Sequence, residues 1–201
     1  MTAIGAAVQA LGRGRPAVLP FDTVYGLVAL AEREHAVLAM YELKGRAATQ
    51  PTALVAATVE QLLAAVPELQ DEAAVPALLP GPYTLILRNP ARRFQWLSGG
   101  NPAAIGVRVP DLPDETAHVV EQAGVVAATS ANDPGGPDPA TLEDVPRRIR
   151  AGAGAELDGG PVPGTPSTVV DLTGGAPRIV REGAVTAEDV RRRLRSAVRS
   201  T

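Results

Sequence analysis

Short apolar runs alternate with amphipathic segments along most of the chain. The runs at 16–20, 52–57 and 83–88 have the length and composition of strands, and TALVAA is continuous enough for a strand covered on both faces. Further strands are predicted at 104–110 and 125–132, and a strand pair around a Gly-Gly turn is predicted at 167–172 and 177–183. Each run is too short to be a typical globular helix.

Helical segments lie between these strands and are marked by capping residues and glycine stops. Thr58 and Thr186 are expected N-caps, and Asp22 or Thr23 is expected to cap a helix directly after the first strand. A proline, Pro146, is expected to shorten the segment TLEDVPRRIR. The remaining helices are predicted at 3–12, 34–43, 58–69, 111–124 and 186–198.

Strands and helices are therefore intermixed, and some consecutive strands form hairpins. This pattern predicts an α/β fold with a mixed parallel/antiparallel sheet, rather than a purely parallel sheet. The chain has 201 residues, shows no internal repeat and contains no clear linker. We expect residues 1–201 to form a single domain.

Composition excludes several classes of site. The chain has no cysteine, which rules out disulfides, thiolate metal sites and a cysteine nucleophile. His35 and His118 both lie in helix-like segments, so we interpret them as surface histidines and predict no metal site and no Ser-His-Asp triad. The formal net charge of -3 does not suggest a dedicated nucleic-acid binder. The first residues lack the pattern of a leader or a spanning helix, so we predict a cytoplasmic protein with no membrane partner.

The basic residues are almost all arginine. Of the 19 lysines and arginines, only Lys44 is a lysine. A position that keeps lysine against this bias is a candidate for a role that needs a compact ammonium. The alternative is a solvated helix end, where a cation is favourable in any case.

Polar side chains collect where the apolar runs end. Asp22 and Thr23 follow the first strand, Ser130 and Asn132 follow VVAA, and Arg181 follows RIV. In open α/β sheets, ligands bind outside strand ends, so we expect these groups to form a site for a small polar ligand that carries phosphate. The chain has neither a Walker A motif nor a GxGxxG fingerprint, so a nucleotide would have to be held in another way.

Seven motifs together resemble the YrdC-like family, whose members include threonylcarbamoyl-AMP synthase. They occur in the order of the family and span 20–183. The motifs are PFDTVYGL, LKGR, PGPYTLIL, VRVPDLP, ATSAN, PSTVVDL and IVREG. The chain departs from the family pattern at Phe21, Ala47 and Ala140.

The resemblance implies an enzyme, a nucleotidyltransferase that makes threonylcarbamoyl-adenylate and pyrophosphate from L-threonine, bicarbonate and ATP. A separate transferase complex would then pass the threonylcarbamoyl group to tRNA, so that complex and tRNA itself are the expected partners. The implied fold is a twisted mixed parallel/antiparallel sheet with flanking helices around a concave basic cavity. Mg²⁺ would be carried by the nucleotide phosphates, with no metal site in the protein.

The resemblance also implies roles for individual residues. Thr23, Arg108, Ser130 and Ser167 match the L-threonine site, and Asn132, Thr141 and Arg181 match the ATP site. Lys44 and Arg46 match a basic pair that binds ATP and that we predict to be catalytic, by stabilising charge at the phosphates. On this basis Lys44→Ala is expected to slow adenylate formation much more than it destabilises the fold.

Two other functions fit parts of the sequence. A YrdC-like module could bind double-stranded or transfer RNA without synthase activity, through shape and phosphate contacts. Related carbamoyl-adenylate chemistry occurs where YrdC-like domains form part of larger carbamoyltransferases, whose additional metal-binding cysteines this chain lacks. Pyrophosphate release that depends on threonine, bicarbonate and ATP would separate the first possibility from a synthase.

Overall fold

The computed structural model describes residues 2–198, in which nine strands form one sheet. The strand order is β7-β1-β2-β6-β3-β5-β4-β8-β9. The strands are β1 Ala17–Pro20, β2 Tyr25–Leu30, β3 Ala53–Val55, β4 Tyr83–Arg88, β5 Ala104–Arg108, β6 Val126–Ser130, β7 Ala155–Glu156, β8 Thr168–Asp171 and β9 Arg178–Arg181. The pairs β7–β1, β3–β5 and β4–β8 are parallel and the others are antiparallel, which confirms the predicted mixed sheet.

Seven α-helices flank the sheet in these described residues. Their bounds are α1 Ala3–Gly12, α2 Glu34–Lys44, α3 Val59–Ala65, α4 Ala74–Leu78, α5 Asp114–Ala123, α6 Arg147–Gly152 and α7 Ala187–Val198. The predicted caps are confirmed: Thr58 Oγ1 accepts from the Gln61 amide at 3.1 Å, and Thr186 Oγ1 accepts from the Asp189 amide at 3.2 Å. Both histidines are exposed on helices, as predicted.

The predicted helix after Asp22 or Thr23 is wrong, because residues 25–30 form β2. This strand pairs antiparallel with β1 and with β6, and all six of its residues are buried. A uniformly apolar run has no 3.6-residue period, so capping residues in front of it do not decide between helix and strand. The neighbouring strands decide here, because they satisfy the backbone hydrogen bonds of β2 on both edges.

Helices cover the two faces of the sheet unequally. On one face, residues from α2, α3, α4 and α7 pack on alternate strand positions such as Leu27, Leu54 and Leu85. On the other face, α1 and α5 form a second cluster with Leu19, Val28 and neighbouring residues. This second cluster reaches β1, β2 and β6 and touches β3 at Val55. The corresponding face of β5, β4 and β8 is left for the site.

Candidate functional site

A cavity of about 510 Å³ lies on the sheet face that α1 and α5 leave open. Its floor contains Ala53, Ala104, Gly106 and Ala128, none of which carries more than a methyl group. A Cβ added at Gly106 would meet nothing closer than the Cα of Ala53, at 3.8 Å. The volume lies within the range of small-molecule sites, roughly 300–1,000 Å³.

The turn between β1 and β2 supplies the first polar group of the cavity wall. Arg108 Nη2 donates to Thr23 Oγ1 at 2.8 Å and forms an ion pair with Asp22 Oδ1. The Phe21 ring centroid lies 5.7 Å from the Arg108 guanidinium carbon, which allows a cation–π contact. Tyr25 does not line the cavity, and its hydroxyl donates to the Gly160 carbonyl at 2.8 Å.

Burial outweighs attraction in this ion pair. Loss of solvation raises the pKa of Asp22 although Arg108 opposes the rise, and it lowers the pKa of Arg108 although Asp22 opposes the fall. Asp22 Oδ2 and Arg108 Nε are buried with no hydrogen-bond partner. Arg108 thus keeps one buried donor without a partner, which adds to the cost of burying this pair.

A second polar group forms where β4, β8 and β9 meet. Thr84 Oγ1 and Ser167 Oγ lie 2.8 Å apart, and Arg181 Nη2 donates to the Ser167 carbonyl at 2.8 Å. Thr168, which is fully buried, fixes the segment after β9, because its hydroxyl donates to the Val185 carbonyl at 2.6 Å. It also accepts from the amide of Gly183 at 3.0 Å. These contacts join the start of β8 to the segment that follows Arg181.

A third group lies at the end of β6. Ser130 Oγ donates to Asn132 Oδ1 at 2.7 Å, and Lys44 Nζ donates to the Ser130 carbonyl at 2.7 Å. Lys44 Nζ also donates to the Asn132 carbonyl at 2.5 Å and to Asn132 Oδ1. Burial, together with the nearby Arg46, lowers the pKa of Lys44 to about 8. The lysine therefore fixes the position of the residues that follow β6, and it does so from behind the residues that line the cavity.

Six of the nine predicted site residues line the cavity. They are Thr23, Arg46, Arg108, Ser130, Ser167 and Arg181. Three others do not line it: Lys44 and Asn132 are buried in the wall, and Thr141 accepts from the amide of Asp144 at 3.3 Å. The side-chain amide of Asn132 is also occupied, because Nδ2 donates to the Gly136 carbonyl at 2.7 Å.

The cavity also contains polar residues that the sequence did not single out, among them Thr84, Asp138, Asp171 and Thr173. The alternation of YTLILR contains the signal for Thr84, because a strand that buries Tyr83, Leu85 and Leu87 turns Thr84 to the other face. Asp171 accepts from Thr173 and from Arg178, and these hydrogen bonds lower its pKa to about 2. With three arginines and two aspartates in the lining, a predominantly basic cavity remains a prediction.

Comparison with known proteins identifies the family. A model of Sua5, YciO and YrdC proteins, with the description "Telomere recombination", matches residues 9–183. The chain belongs to this family. A relative from Mycobacterium tuberculosis is 33% identical over 191 residues, which cover 93% of this chain and 87% of that protein.

Two further relatives of the Sua5/YciO/YrdC family are threonylcarbamoyl-AMP synthases. The Pyrococcus abyssi enzyme is 33% identical over 180 residues, covering 88% of this chain and 53% of the enzyme. The Bacillus subtilis enzyme is 31% identical over 191 residues, covering 93% of this chain and 55% of the enzyme. The chain thus spans about half the length of these two enzymes.

Solved structures of the family have the same fold. P. abyssi Sua5 complexed with L-threonine matches with a TM-score of 0.85 and 31% identity, over 96% of this chain and 58% of that one. Escherichia coli YciO matches with a TM-score of 0.78 and 25% identity, over 92% of this chain and 91% of that one. In the described residues, no helix is long and apolar enough to cross a membrane.

Proposed function

We propose that this chain is a threonylcarbamoyl-AMP synthase, which joins L-threonine, bicarbonate and ATP into threonylcarbamoyl-adenylate and pyrophosphate. One observation carries the proposal: six residues from separate parts of the chain line a single cavity. They are Thr23, Arg46, Arg108, Ser130, Ser167 and Arg181. The structural match to Sua5 complexed with L-threonine supports the same conclusion.

L-Threonine binds between Thr23, Arg108 and the Thr84–Ser167 pair. Arg108 is a suitable partner for its carboxylate, because it lines the cavity and a buried guanidinium binds an anion more strongly than an exposed one. The hydroxyls of Thr84 and Ser167 lie 2.8 Å apart, so one donates to the other and the second keeps a free proton for the substrate.

ATP lies along Arg46 and Arg181, the other two arginines of the cavity. Arg46 Nη2 donates to the Pro51 carbonyl at 2.6 Å, while its Nε is buried without a partner. Arg181 anchors on Ser167. Asn132 and Thr141, which the resemblance assigns to the ATP site, do not line the cavity, so we propose that they act on ATP only through the residues that do.

The reaction brings two anions together. The amine of threonine, once deprotonated, attacks the carbon of bicarbonate, and the carbamate forms as water leaves. A carbamate oxygen then attacks the α-phosphorus, and the bond to pyrophosphate breaks. At 4 Å, two unit charges at a protein surface repel by about 4 kcal/mol, so the arginines of the cavity must offset a repulsion of that order.

No covalent enzyme intermediate is needed, and positioning supplies most of the catalysis. Arg46 lies in the cavity and stabilises charge at the phosphates. Lys44 acts through the backbone of Ser130 and Asn132, because its ammonium donates to both carbonyls. Its direct catalytic role, which the resemblance implies, remains a prediction.

Mg²⁺ would neutralise the triphosphate further. The described residues contain no group of three His, Cys, Asp or Glu side chains that could hold a metal ion. The protein offers no cage of its own here, so we propose that Mg²⁺ arrives on the nucleotide phosphates. The product would pass in the cytoplasm to a threonylcarbamoyl transferase complex that acts on tRNA.

Pyrophosphate release tests the proposal. The purified chain should release pyrophosphate from ATP only when L-threonine and bicarbonate are both present, and L-serine should support a lower rate. Binding of tRNA with a steep salt dependence, and no pyrophosphate under any of these conditions, would favour the RNA-binding module instead.

A further inference from the structure

The end of α2 places Arg46 in the cavity. Gly45 adopts the left-handed conformation, with φ at 70°, and its amide donates to the Glu42 carbonyl at 3.0 Å. The amide of Arg46 then donates to the Tyr41 carbonyl at 2.9 Å, which completes a glycine-terminated helix end. The last carbonyls of a helix have no partner within it, and here those of Leu43 and Lys44 need donors from elsewhere.

Arg148, on α6, supplies those donors. Its Nη1 donates to the Leu43 carbonyl at 2.5 Å, and its Nη2 donates to the Lys44 carbonyl at 3.1 Å. The same guanidinium binds Asp133 Oδ1 through Nε at 2.9 Å and through Nη2 at 2.5 Å. One planar group thus joins the end of α2 to the loop that follows β6.

We propose that Arg148 is a positioning residue that fixes the end of α2, and with it Arg46, relative to Ser130 and the loop after β6. The role of Arg46 in ATP binding rests on the proposed function. Lys44 and Arg148 then form two links between the same two segments. The ammonium makes the buried link and the guanidinium makes the outer link.

Helix α6 is a firm base for the outer link. Ile149 is fully buried in the main core cluster. A Cβ added at Gly152 would lie 2.4 Å from Leu43 Cδ1, so α6 and the end of α2 are in close contact at this point. Because α6 is packed against its neighbours close to Arg148, at Ile149 and at Gly152, this packing fixes where the guanidinium lies.

The outer link is too exposed to be a main source of stability. The side chains of Arg148 and Asp133 are 48% and 53% exposed, and ion pairs of this exposure contribute little to the free energy of unfolding. If Arg148 mainly fixes geometry, its removal should affect the site and the stability of the protein to different degrees. Removing Arg148 should change the site much more than it changes the melting temperature.

The single lysine of the chain offers a readout that needs no activity. An amine-specific reagent followed by mass spectrometry measures how fast Lys44 is labelled, with a lysine peptide in the same tube as reference. Lys44 faces Arg46, Asp138, Asp133 and Arg148. Arg148→Ala should speed its labelling several-fold, because the wall over it loosens; this effect is expected to outweigh the slowing that follows when loss of the neighbouring positive charge raises the pKa of Lys44.

Kinetics of pyrophosphate release give the second readout. Arg148→Ala should raise the KM for ATP about tenfold and the KM for L-threonine much less, because the guanidinium binds the end of α2 next to Arg46 and small displacements of phosphate-binding groups are costly. Arg148→Lys should restore little, because an ammonium cannot bridge two carbonyls and a carboxylate with a planar fork. The control is Arg150→Ala on the same helix, whose ion pair with Glu156 is also partly exposed and does not touch α2.

Two results would overturn the inference. In the first, Arg148→Ala leaves both the rate of Lys44 labelling and the KM for ATP unchanged. In the second, the control Arg150→Ala alters both quantities as much as Arg148→Ala does. If Arg148→Ala does not fold, Asp133→Asn removes the carboxylate and keeps the donors to α2. Loss of this negative charge by itself lowers the pKa of Lys44 and speeds its labelling, so the required result is then a raised KM for ATP. If the unaltered chain releases no pyrophosphate, the proposed function fails, while the labelling comparison still decides the role of Arg148.

Discussion

Asp22 and Arg108 form an ion pair in the wall of the cavity, with about 10% of each side chain exposed. The turn between β1 and β2 and the end of β5 are brought together by this contact. Desolvation raises the pKa of Asp22 and lowers that of Arg108, so the pair is not a source of net stability. The ion pair instead holds the guanidinium of Arg108 at the edge of the cavity.

Removing the charge of Asp22 should destabilise the protein. Asp22→Asn leaves Arg108 buried without a counter-charge, and we expect the free energy of unfolding to fall by about 3 kcal/mol. Urea denaturation measures the change. Glu68→Gln is the matched control, because its partner Arg93 is 41% exposed, and there we expect a loss below about 1 kcal/mol. Equal losses in the two variants would show that burial of the Asp22 pair has no special effect.

Two glycines of the same sheet should respond in opposite ways. Gly106→Val projects into open cavity, so the melting temperature should stay within about 3 °C while L-threonine and ATP binding, measured by calorimetry, are lost. Gly26→Ala instead places a Cβ 2.6 Å from the Phe21 ring, and overpacking of this kind should cost about 2 kcal/mol. Tight substrate binding by Gly106→Val would mean that the floor of the cavity does not contact substrate.

The hydroxyl of Thr84 should matter for the amino acid. Thr84→Val keeps the shape of the side chain and removes one hydrogen bond, worth about 1 kcal/mol, so the KM for L-threonine should rise about fivefold. Thr141→Val serves as the control. Thr141 caps a turn outside the cavity, so this variant should leave both KM values unchanged. An increased KM for ATP in Thr141→Val would instead support the role that the family resemblance implies.

Activity should fall as the pH rises through about 8, the pKa of Lys44. The ammonium donates to three acceptors, and a neutral amine has only two hydrogens to donate. Stability should not follow activity. Burial penalises the charged lysine in the folded state below about pH 8, and the penalty disappears as the pH rises toward 10.5, the ordinary value.

Lys44→Ala is the variant that checks this interpretation. It leaves buried carbonyls without a donor, so we expect a loss of about 3 kcal/mol in the free energy of unfolding together with loss of activity. The sequence alone suggested a loss of activity without much destabilisation. A stable and inactive Lys44→Ala would therefore favour a direct role of the ammonium at the phosphates.

Most strands and helices were predictable because local patterns specified them. Thr58 and Thr186 cap helices where the sequence places them, and the Gly-Gly turn joins β8 to β9. β2 was not predictable in this way. Its six residues are apolar throughout, and only pairing with β1 and β6 selects the strand. The two-residue strand β7 was missed because so short a segment carries no period.

The site was predictable in its residue types and only partly in its geometry. Hydroxyl and guanidinium groups at strand ends gave Thr23, Ser130, Ser167 and Arg181, all of which line the cavity. The sequence could not show that Lys44 and Asn132 do not face the cavity. Their polar atoms bind each other within the wall. Thr84 lies within β4 and not after it, so a pattern of polar groups that follow strands does not indicate it.

By itself, the sequence determined the mixed α/β class, the absence of cysteine chemistry and the membership of a family through seven ordered motifs. Only the tertiary structure decided that no helix of residues 2–198 covers one face of β5, β4 and β8, where Gly106 and Ala53 form the floor of the cavity. It also decided that Lys44 points into the protein and that Arg148 binds the end of α2. The physical reason is that local patterns specify elements over a few residues, whereas a cavity and its buried contacts depend on packing between segments far apart in the chain.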